Sequence, residues 1–299
     1  MALDMSKLRT LAEIRSAGSM RSAASVLGYT PGAVSQQMAS LGRAVGVDLL
    51  VHVGRRVELT DAGHVLAEHA LRILDAERTA RAALASLGEE VSAQVRVGVF
   101  GTAAAALLPP ALAIVRRDHP GITVRSVELD VDEASAAVAS GAVDVAFGLD
   151  YGDAPIPRSR DVALVGLRTE RFRVAVAATR RTKHRTVSLV DLADEAWLLP
   201  PAATQYGLAF RMSCRRAGFE PRVEHEVTDT ATSLAMVAAD LGIAPVTDLM
   251  LELRSRRVST LPLLEDTSRQ VVLAHRRSPL PQPGTSAVIA AIRRSVAER

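Results

Sequence analysis

Three consecutive polar residues, Ser35, Gln36 and Gln37, have the side chains best suited to reading base edges. A glutamine carboxamide carries a donor and an acceptor side by side, which matches the edge that adenine presents in a DNA major groove. Thr30 and Ser40 flank them with hydroxyls suited to phosphate oxygens. Arg43, Arg55 and Arg56 add guanidinium groups, the last two placed for phosphates or a minor groove. For any one of the glutamines, a solvated helix face is the alternative.

Such residues need a scaffold, and residues 19–60 have the spacing of a helix-turn-helix followed by a basic wing. Ala24, Gly28 and Val34 fall at relative positions 0, +4 and +10. Ala24 suits a close crossing of two helices, and Val34 points from the second helix into a small core. Gly28 stops the first helix cheaply in a left-handed conformation. Residues 5–17 carry Leu8, Leu11, Ala12 and Ile14 at helical spacing. Ser19 is placed to cap a helix over 20–27. Thr30 is placed to cap the next, with Pro31 at its first position. Val34, Met38, Leu41 and Val45 form that helix's apolar stripe, and the polar residues above fall off it. Residues 49–60 are expected to form the wing, with Gly54 at its tip.

Thr60 or Asp61 then caps a long helix expected to reach about residue 87. Leu66, Ala70, Ile73, Glu77, Ala80, Leu84 and Leu87 alternate at heptad-like spacing, a seam that suits pairing with a second copy. Glu77 interrupts it, and packing on its own domain is the alternative. Residues 88–93 read as a hinge.

Strands and helices alternate from residue 94 onward. Strands are predicted at 95–99, 122–127, 143–149, 172–177, 197–199, 222–227, 242–246 and 270–275. Helices are predicted at 103–117, 132–140, 205–217, 230–240 and 285–297. This alternation implies α/β layers, and two such halves imply a ligand-binding cleft at the strand ends. Candidate lining groups follow from position. Gly101 and Thr102 open a helix directly after a strand, and their N–H groups suit an anion or polar head. Asp150 and Tyr151 follow another strand. Pro201, Ala202, Thr204 and Gln205 lead into a helix, as do Thr228, Asp229 and Thr230, and Thr247 follows a strand. Helix capping is the alternative for Thr102, Thr204 and Thr230. Asp150 and Asp229 hint at a hydroxyl or amine on the ligand.

The 299 residues allow about two domains, or one small and one bilobal, and 48% apolar residues exclude global disorder. The net charge of +3 is too small to establish a nucleic-acid partner alone. Its distribution says more: residues 1–60 hold seven Lys or Arg against four Asp or Glu, and residues 61–90 hold three against six. One cysteine, Cys214, excludes an internal disulfide and fits a reducing compartment. Its helix, flanked by Arg215 and Arg216, marks it as structural, a reactive thiol being the alternative. The N-terminus has no signal-peptide core and no apolar run reaches a membrane span, so a cytoplasmic protein is expected. No phosphate-loop, dinucleotide or zinc-protease motif is present. His64 and His69 are five apart, the wrong offset for a shared metal. An enzyme, a cofactor and a metal are therefore not expected.

The N-terminal anchors resemble those of the LysR-type transcriptional regulators. They are Gly18-Ser19, Ala23-Ala24, Leu27, Ala33-Val34-Ser35, Leu41, Gly46, Leu49, Arg55-Arg56, Leu59-Thr60 and Ala62-Gly63. The segments Gly141–Ala146 and Leu234–Ile243 resemble phrases of that family's effector domain, so the resemblance spans nearly the full length. It implies an N-terminal all-α winged helix-turn-helix with a long linker helix, and a C-terminal α/β bilobal domain resembling type 2 periplasmic binding proteins. The divisions expected are 1–60 for DNA binding, 61–90 for the linker and dimerisation helix, and 91–299 for effector binding. Within the last, lobe I covers about 94–165 and 269–299, and lobe II about 166–268. The resemblance also implies that the cleft residues converge on one small-molecule effector. The implied partners are double-stranded promoter or operator DNA and further copies in a homodimer or homotetramer; RNA polymerase is a further candidate and a membrane is not. The chain departs from the family at Pro31-Gly32, where Gln-Pro is frequent, and at Leu41-Gly42, where Leu-Glu is common. His52 stands where an arginine is common, which removes one phosphate contact at neutral pH. A DNA-bridging architectural protein without an effector, or a solute-binding protein, are the alternative functions.

Overall fold

The computed structural model describes residues 3–53, 56–85, 93–180, 186–253, 256–277 and 282–298. The chain divides into two compact units, the first of Met1–Glu89 with Ser140–Ala142 and the second of Glu90–Ala139 and Val143–Arg299.

The first unit opens with α1 (Met5–Ala17), α2 (Met20–Leu27) and α3 (Pro31–Val45). Their ends are written locally. Asp4 accepts from the N–H groups of Ser6 and Lys7 to start α1. Ser19 caps α2 and Thr30 caps α3, with Pro31 in the first turn, as the sequence predicts. Gly28 stops α2 at φ +69°. The N–H groups of Gly28 and Tyr29 return to Ser25 and Ala24 carbonyls, which closes the end of α2. Leu8, Leu11, Ile14, Ala23, Ala24, Val34, Met38 and Leu41 form one core, with Ala24 and Val34 essentially inaccessible.

The wing is a hairpin of β1 (Leu50–Val53) and β2 (Arg56–Leu59), antiparallel with Val53 opposite Arg56. Its tip, Gly54 and Arg55, lies outside the described residues. Next comes α4 (Asp61–Ala85). Thr60 is its cap: its hydroxyl accepts from the Gly63 N–H at 3.0 Å and donates to the Asp48 carbonyl at 2.8 Å. The seam on α4 is used differently from the expectation. Ala70 is buried in the headpiece core, and Leu66 and Ile73 pack against it. Glu77 lies 3.9 Å from the Arg9 guanidinium of α1. The first half of the seam therefore packs on its own domain. Ala80 is exposed, Leu84 has no described side chain, and Leu87 lies outside the described residues.

The second unit contains β3 (Ala93–Val99), α5 (Gly101–Ala106), α6 (Leu108–Asp118), β4 (Ile122–Glu128), α7 (Ala134–Ser140), β5 (Val145–Tyr151) and β6 (Val162–Arg171). It continues with β7 (Arg173–Ala177), β8 (Ala196–Leu199), α8 (Gln205–Arg216), β9 (Arg222–Glu226), α9 (Thr230–Ala238), β10 (Ala244–Val246) and α10 (Asp248–Leu251). It closes with β11 (Val258–Pro262), β12 (Ser268–Arg276) and α11 (Pro283–Ala297). The single helix expected over 103–117 is broken at Leu107, because Pro109 and Pro110 lack the N–H that would continue it and instead fit the first turn of α6. The strands β6 and β11 have no clear period in sequence and were not predicted.

Five strands form the first lobe's sheet in the order β4-β3-β5-β12-β6, parallel across β4, β3 and β5, and antiparallel thereafter. The second lobe has a β10-β7-β11 sheet and a β8-β9 pair. The chain crosses between lobes at Phe172 and returns at Thr267, where the Phe172 N–H donates to the Thr267 carbonyl at 2.9 Å. The outward crossing falls at Phe172 rather than after residue 165, because β6 stays paired with β12 as far as Arg171. No helix among the described residues is long and apolar enough to cross a membrane.

Candidate functional site

On the headpiece, α3 buries Val34, Met38 and Leu41 and exposes Thr30, Ser35, Gln36 and Arg43. Thr30 also accepts from the Ala33 N–H at 3.2 Å, which occupies its oxygen as a cap. Two predicted contacts are less free than the sequence suggests. Gln37 is half-buried, and its amide oxygen accepts from the Thr10 hydroxyl at 2.5 Å. That bond uses one of the two lone pairs of the amide oxygen and fixes the orientation in which Gln37 can meet another partner. Ser40 accepts from Lys7 Nζ at 2.9 Å. This bond brings a cation from α1 onto the polar flank of α3, and Lys7 is a residue the motif reading missed. Arg55 lies outside the described residues, and Arg56 holds its place in β2 with no side chain described.

In the second unit, a cavity of about 320 Å³ lies between the lobes. Of the predicted residues, Gly101, Thr102, Tyr151, Thr204, Thr228, Asp229 and Thr230 line it. Thr204 is fully engaged as the cap of α8, accepting from the Gly207 N–H and donating to the Pro201 carbonyl. Asp229 caps α9 through the Thr232 N–H at 2.7 Å. Three expectations are corrected. Asp150 does not face the cavity: strand alternation sends Leu149 and Tyr151 to that side and Asp150 to the other. There it accepts from the Ile156 N–H at 2.9 Å and Arg158 at 2.7 Å, tying down the following loop. Ala202 is exposed and does not line the cavity, because the preceding turn carries it outward. Thr247 is fully buried beneath the cavity.

Thr247 belongs to a buried ionic network at the crossover that the sequence reading missed. Tyr151 on β5, Arg269 on β12 and Glu170 on β6 stand directly opposite one another across three strands. Arg269 Nε donates to Glu170 at 3.0 Å, and Nη2 donates to Thr247 at 2.7 Å. The Thr247 hydroxyl and the Leu249 N–H donate to Glu170 at 3.0 and 2.9 Å. The guanidinium also sits 5.9 Å from the Phe172 ring centre and 6.0 Å from that of Tyr206. Arg168 adds a further cation 3.6 Å from Glu170. Arg269 and Glu170 are 3% and 1% exposed, so these partners are what make the charges tolerable.

The cavity's polar rim is acidic. Glu128, Asp130, Asp132 and Asp229 line it, and Arg269 is the only cation among the described lining residues. Asp132 accepts from the Gln205 N–H at the start of α8, at 3.0 Å. Burial raises the Asp132 pKa above the usual carboxylate range, against the lowering effect of that N–H and with a further push from Asp130. Tyr151 is 2% exposed, and its hydroxyl has no hydrogen-bond partner among the described residues. Burial pushes its pKa up to about 12, while the neighbouring Arg269 charge pulls the other way. Tyr206 stacks on Tyr151 at 5.9 Å and donates to the Pro245 carbonyl at 2.6 Å.

Neither metal nor thiol chemistry is assembled among the described residues. No group of three His, Cys, Asp or Glu side chains could hold a metal ion there. Cys214 is fully buried, and burial pushes its thiol up to about 12, far from the thiolate a nucleophile needs.

Residues 5–64 match the family described as bacterial regulatory helix-turn-helix protein, lysR family, and residues 88–297 match the LysR substrate binding domain. The chain is 28% identical over 274 residues to the HTH-type transcriptional regulator BenM of Acinetobacter baylyi, covering 88% of this chain and 86% of that one. It is 31% identical over 228 residues to the HTH-type transcriptional regulator ShiR of Corynebacterium glutamicum, covering 74% and 75%. Its fold is similar to that of CbnR, a LysR family transcriptional regulator, with a TM-score of 0.69 and 25% identity over 98% of this chain and 99% of that one. These matches favour neither an architectural protein without an effector nor a solute-binding protein. The chain belongs to the LysR family and is a transcriptional regulator with an N-terminal helix-turn-helix and a C-terminal effector-binding domain.

Proposed function

We propose that the protein reads an operator in double-stranded DNA through Ser35 and Gln36 of α3, under the control of a small molecule held between its two α/β lobes. The observation that carries this reading is the one-sided α3. Its apolar stripe is buried, while Thr30, Ser35, Gln36 and Arg43 are presented outward beside the wing. A structure similar to this chain, full-length CbnR complexed with its target DNA, has a TM-score of 0.68 at 25% identity. Arg43, Arg55, Arg56 and Lys7 supply phosphate contacts, with Ser40 orienting Lys7. Gln37 contributes its NH₂ group and the second lone pair of its amide oxygen, held in orientation by Thr10. The protein works as a homodimer or homotetramer in the cytoplasm, and catalysis has no part in this reading. Effector binding favours one arrangement of lobes or subunits over another and so changes the spacing of the headpieces.

The experiment is a footprint of the full chain on the DNA upstream of its own gene, across a salt series. A protected, roughly palindromic site with salt-dependent affinity is expected. Gln36→Ala is expected to cost about 1–3 kcal/mol at one base position and little elsewhere. Equal weakening on every sequence would remove Gln36 from base reading. Lys7→Ala is expected to weaken all sequences alike and to reduce the slope of log affinity against log salt by about 0.9 per headpiece. An unchanged slope would remove Lys7 from the phosphate contacts.

A further inference from the structure

Taking the cavity between the lobes as the effector site, we propose that the effector is an organic cation: an ammonium or guanidinium group on an apolar body that also carries a polar substituent.

The charge of the site is the first argument. Glu128, Asp130, Asp132 and Asp229 line the cavity, while Arg269, the only cation among the described lining residues, is already neutralised by Glu170 at 2.9 Å. A cleft lined by one sign of charge, with low-dielectric walls, concentrates ligands of the opposite sign. Glu128 and Asp130 are exposed, and neither has an ion-pair partner among the described residues. Glu128 and the second oxygen of Asp130, whose Oδ1 accepts from the Asp132 N–H at 3.0 Å, can meet a cation.

The second argument concerns the place where an anion would normally gain most. The N-terminus of α8 opens on the cavity, and free N–H groups at such an end attract anions. Here the protein supplies its own anion, since the Asp132 carboxylate accepts from the Gln205 N–H at 3.0 Å. An anionic effector at this end of α8 would have to displace Asp132 and then lie among three further carboxylates. A cation meets no such obstacle, and it pairs with the free oxygen of Asp132 while the helix end stays satisfied.

The third observation is independent of charge. The hydroxyl of Tyr151, on a side chain 2% exposed in the cavity wall, makes no hydrogen bond of normal length among the described residues, although the Arg269 guanidinium opposite it is close enough to lower its pKa. A buried hydroxyl left unpaired is costly, so this one is placed for a polar group on the ligand. Phe100, Leu149, Met250 and the Tyr206 ring supply the apolar side.

Three probes of one shape separate these effects: phenylethanolamine, mandelate and phenylethylene glycol, which are the cation, the anion and the neutral diol of a single phenylcarbinol frame. Thermal shift and calorimetric titration on the full chain are the readouts. Phenylethanolamine is expected to bind at least about tenfold tighter than the other two, and Glu128→Gln and Asp132→Asn are each expected to weaken it about tenfold. Gly101→Phe is expected to abolish binding without unfolding the domain, because Gly101 lines the cavity and a Cβ there meets no atom within 4 Å. Absence of any phenylethanolamine binding, or equal binding of the diol, would overturn the assignment. Tighter binding of mandelate that Gly101→Phe removes would overturn the charge assignment and leave the cavity as the effector site. Phenylethanolamine binding that Gly101→Phe leaves intact would overturn both.

Discussion

Arg269→Ala is expected to lower the stability of the effector-binding domain by about 3–5 kcal/mol, read as a shift of the urea midpoint. The cause is the carboxylate left behind rather than the attraction lost. Glu170 is 1% exposed, and without the guanidinium it keeps only the Thr247 hydroxyl, the Leu249 N–H and Arg168 at 3.6 Å. Domains of this size are stable by only about 5–15 kcal/mol, so the variant should lie near the threshold of folding. The double variant Arg269→Met with Glu170→Met should recover much of the loss, since no buried charge then lacks its partner. A loss below about 1 kcal/mol for the single variant would show that water or rearrangement reaches Glu170 easily. That outcome would contradict the dry network at the crossover.

Gly63→Ala has a sign that is itself the test. Alanine in place of glycine inside an exposed helix usually stabilises by up to about 1 kcal/mol. Here the added Cβ would stand 2.3 Å from the Leu49 carbonyl oxygen and 3.1 Å from a Leu59 methyl. Both neighbours belong to the base of the wing, which Thr60 also ties to α4. The helix must therefore move off the wing, at a cost of about 2–3 kcal/mol typical of overpacking. Thermal unfolding should show a destabilised headpiece, and footprinting should show weaker operator binding, because the wing and α3 no longer keep their spacing. Stabilisation would mean that α4 and the wing give way freely.

The headpiece was legible in the sequence because its determinants are local. Asp4, Ser19 and Thr30 cap helices two or three residues away, and Gly18, Gly28 and Gly46 end helices with positive φ. The period of Leu8, Leu11 and Ile14, and of Val34, Met38 and Leu41, states which face is buried before any fold is known. The exposed polar face of α3 follows from the same period, so Ser35, Gln36 and Arg43 could be named at once. What the period could not say is which neighbour covers a residue. Thr10 reaches Gln37 across 27 positions and Lys7 reaches Ser40 across 33. The α4 seam had two possible partners, and packing against α1 took its first half.

The cleft was legible only as a set of strand ends. Alternation along a strand gives two faces but not which one looks inward, so of the two neighbours named from the sequence Tyr151 lines the cavity and Asp150 does not. The acidic rim and the ionic network were hidden, because their members meet across 73 positions for Asp132 and Gln205, and 99 for Glu170 and Arg269. Nothing in the segment Thr267-Ser268-Arg269-Gln270 marks that arginine as buried; it becomes so when β12 returns between β5 and β6 and sets it opposite Tyr151 and Glu170. Caps, turns and helical stripes depend on interactions within about one helical turn, and the sequence therefore determines them on its own. The sign of the charge in the cleft depends on strand order and register, and these come into being only when distant segments bury their apolar faces together.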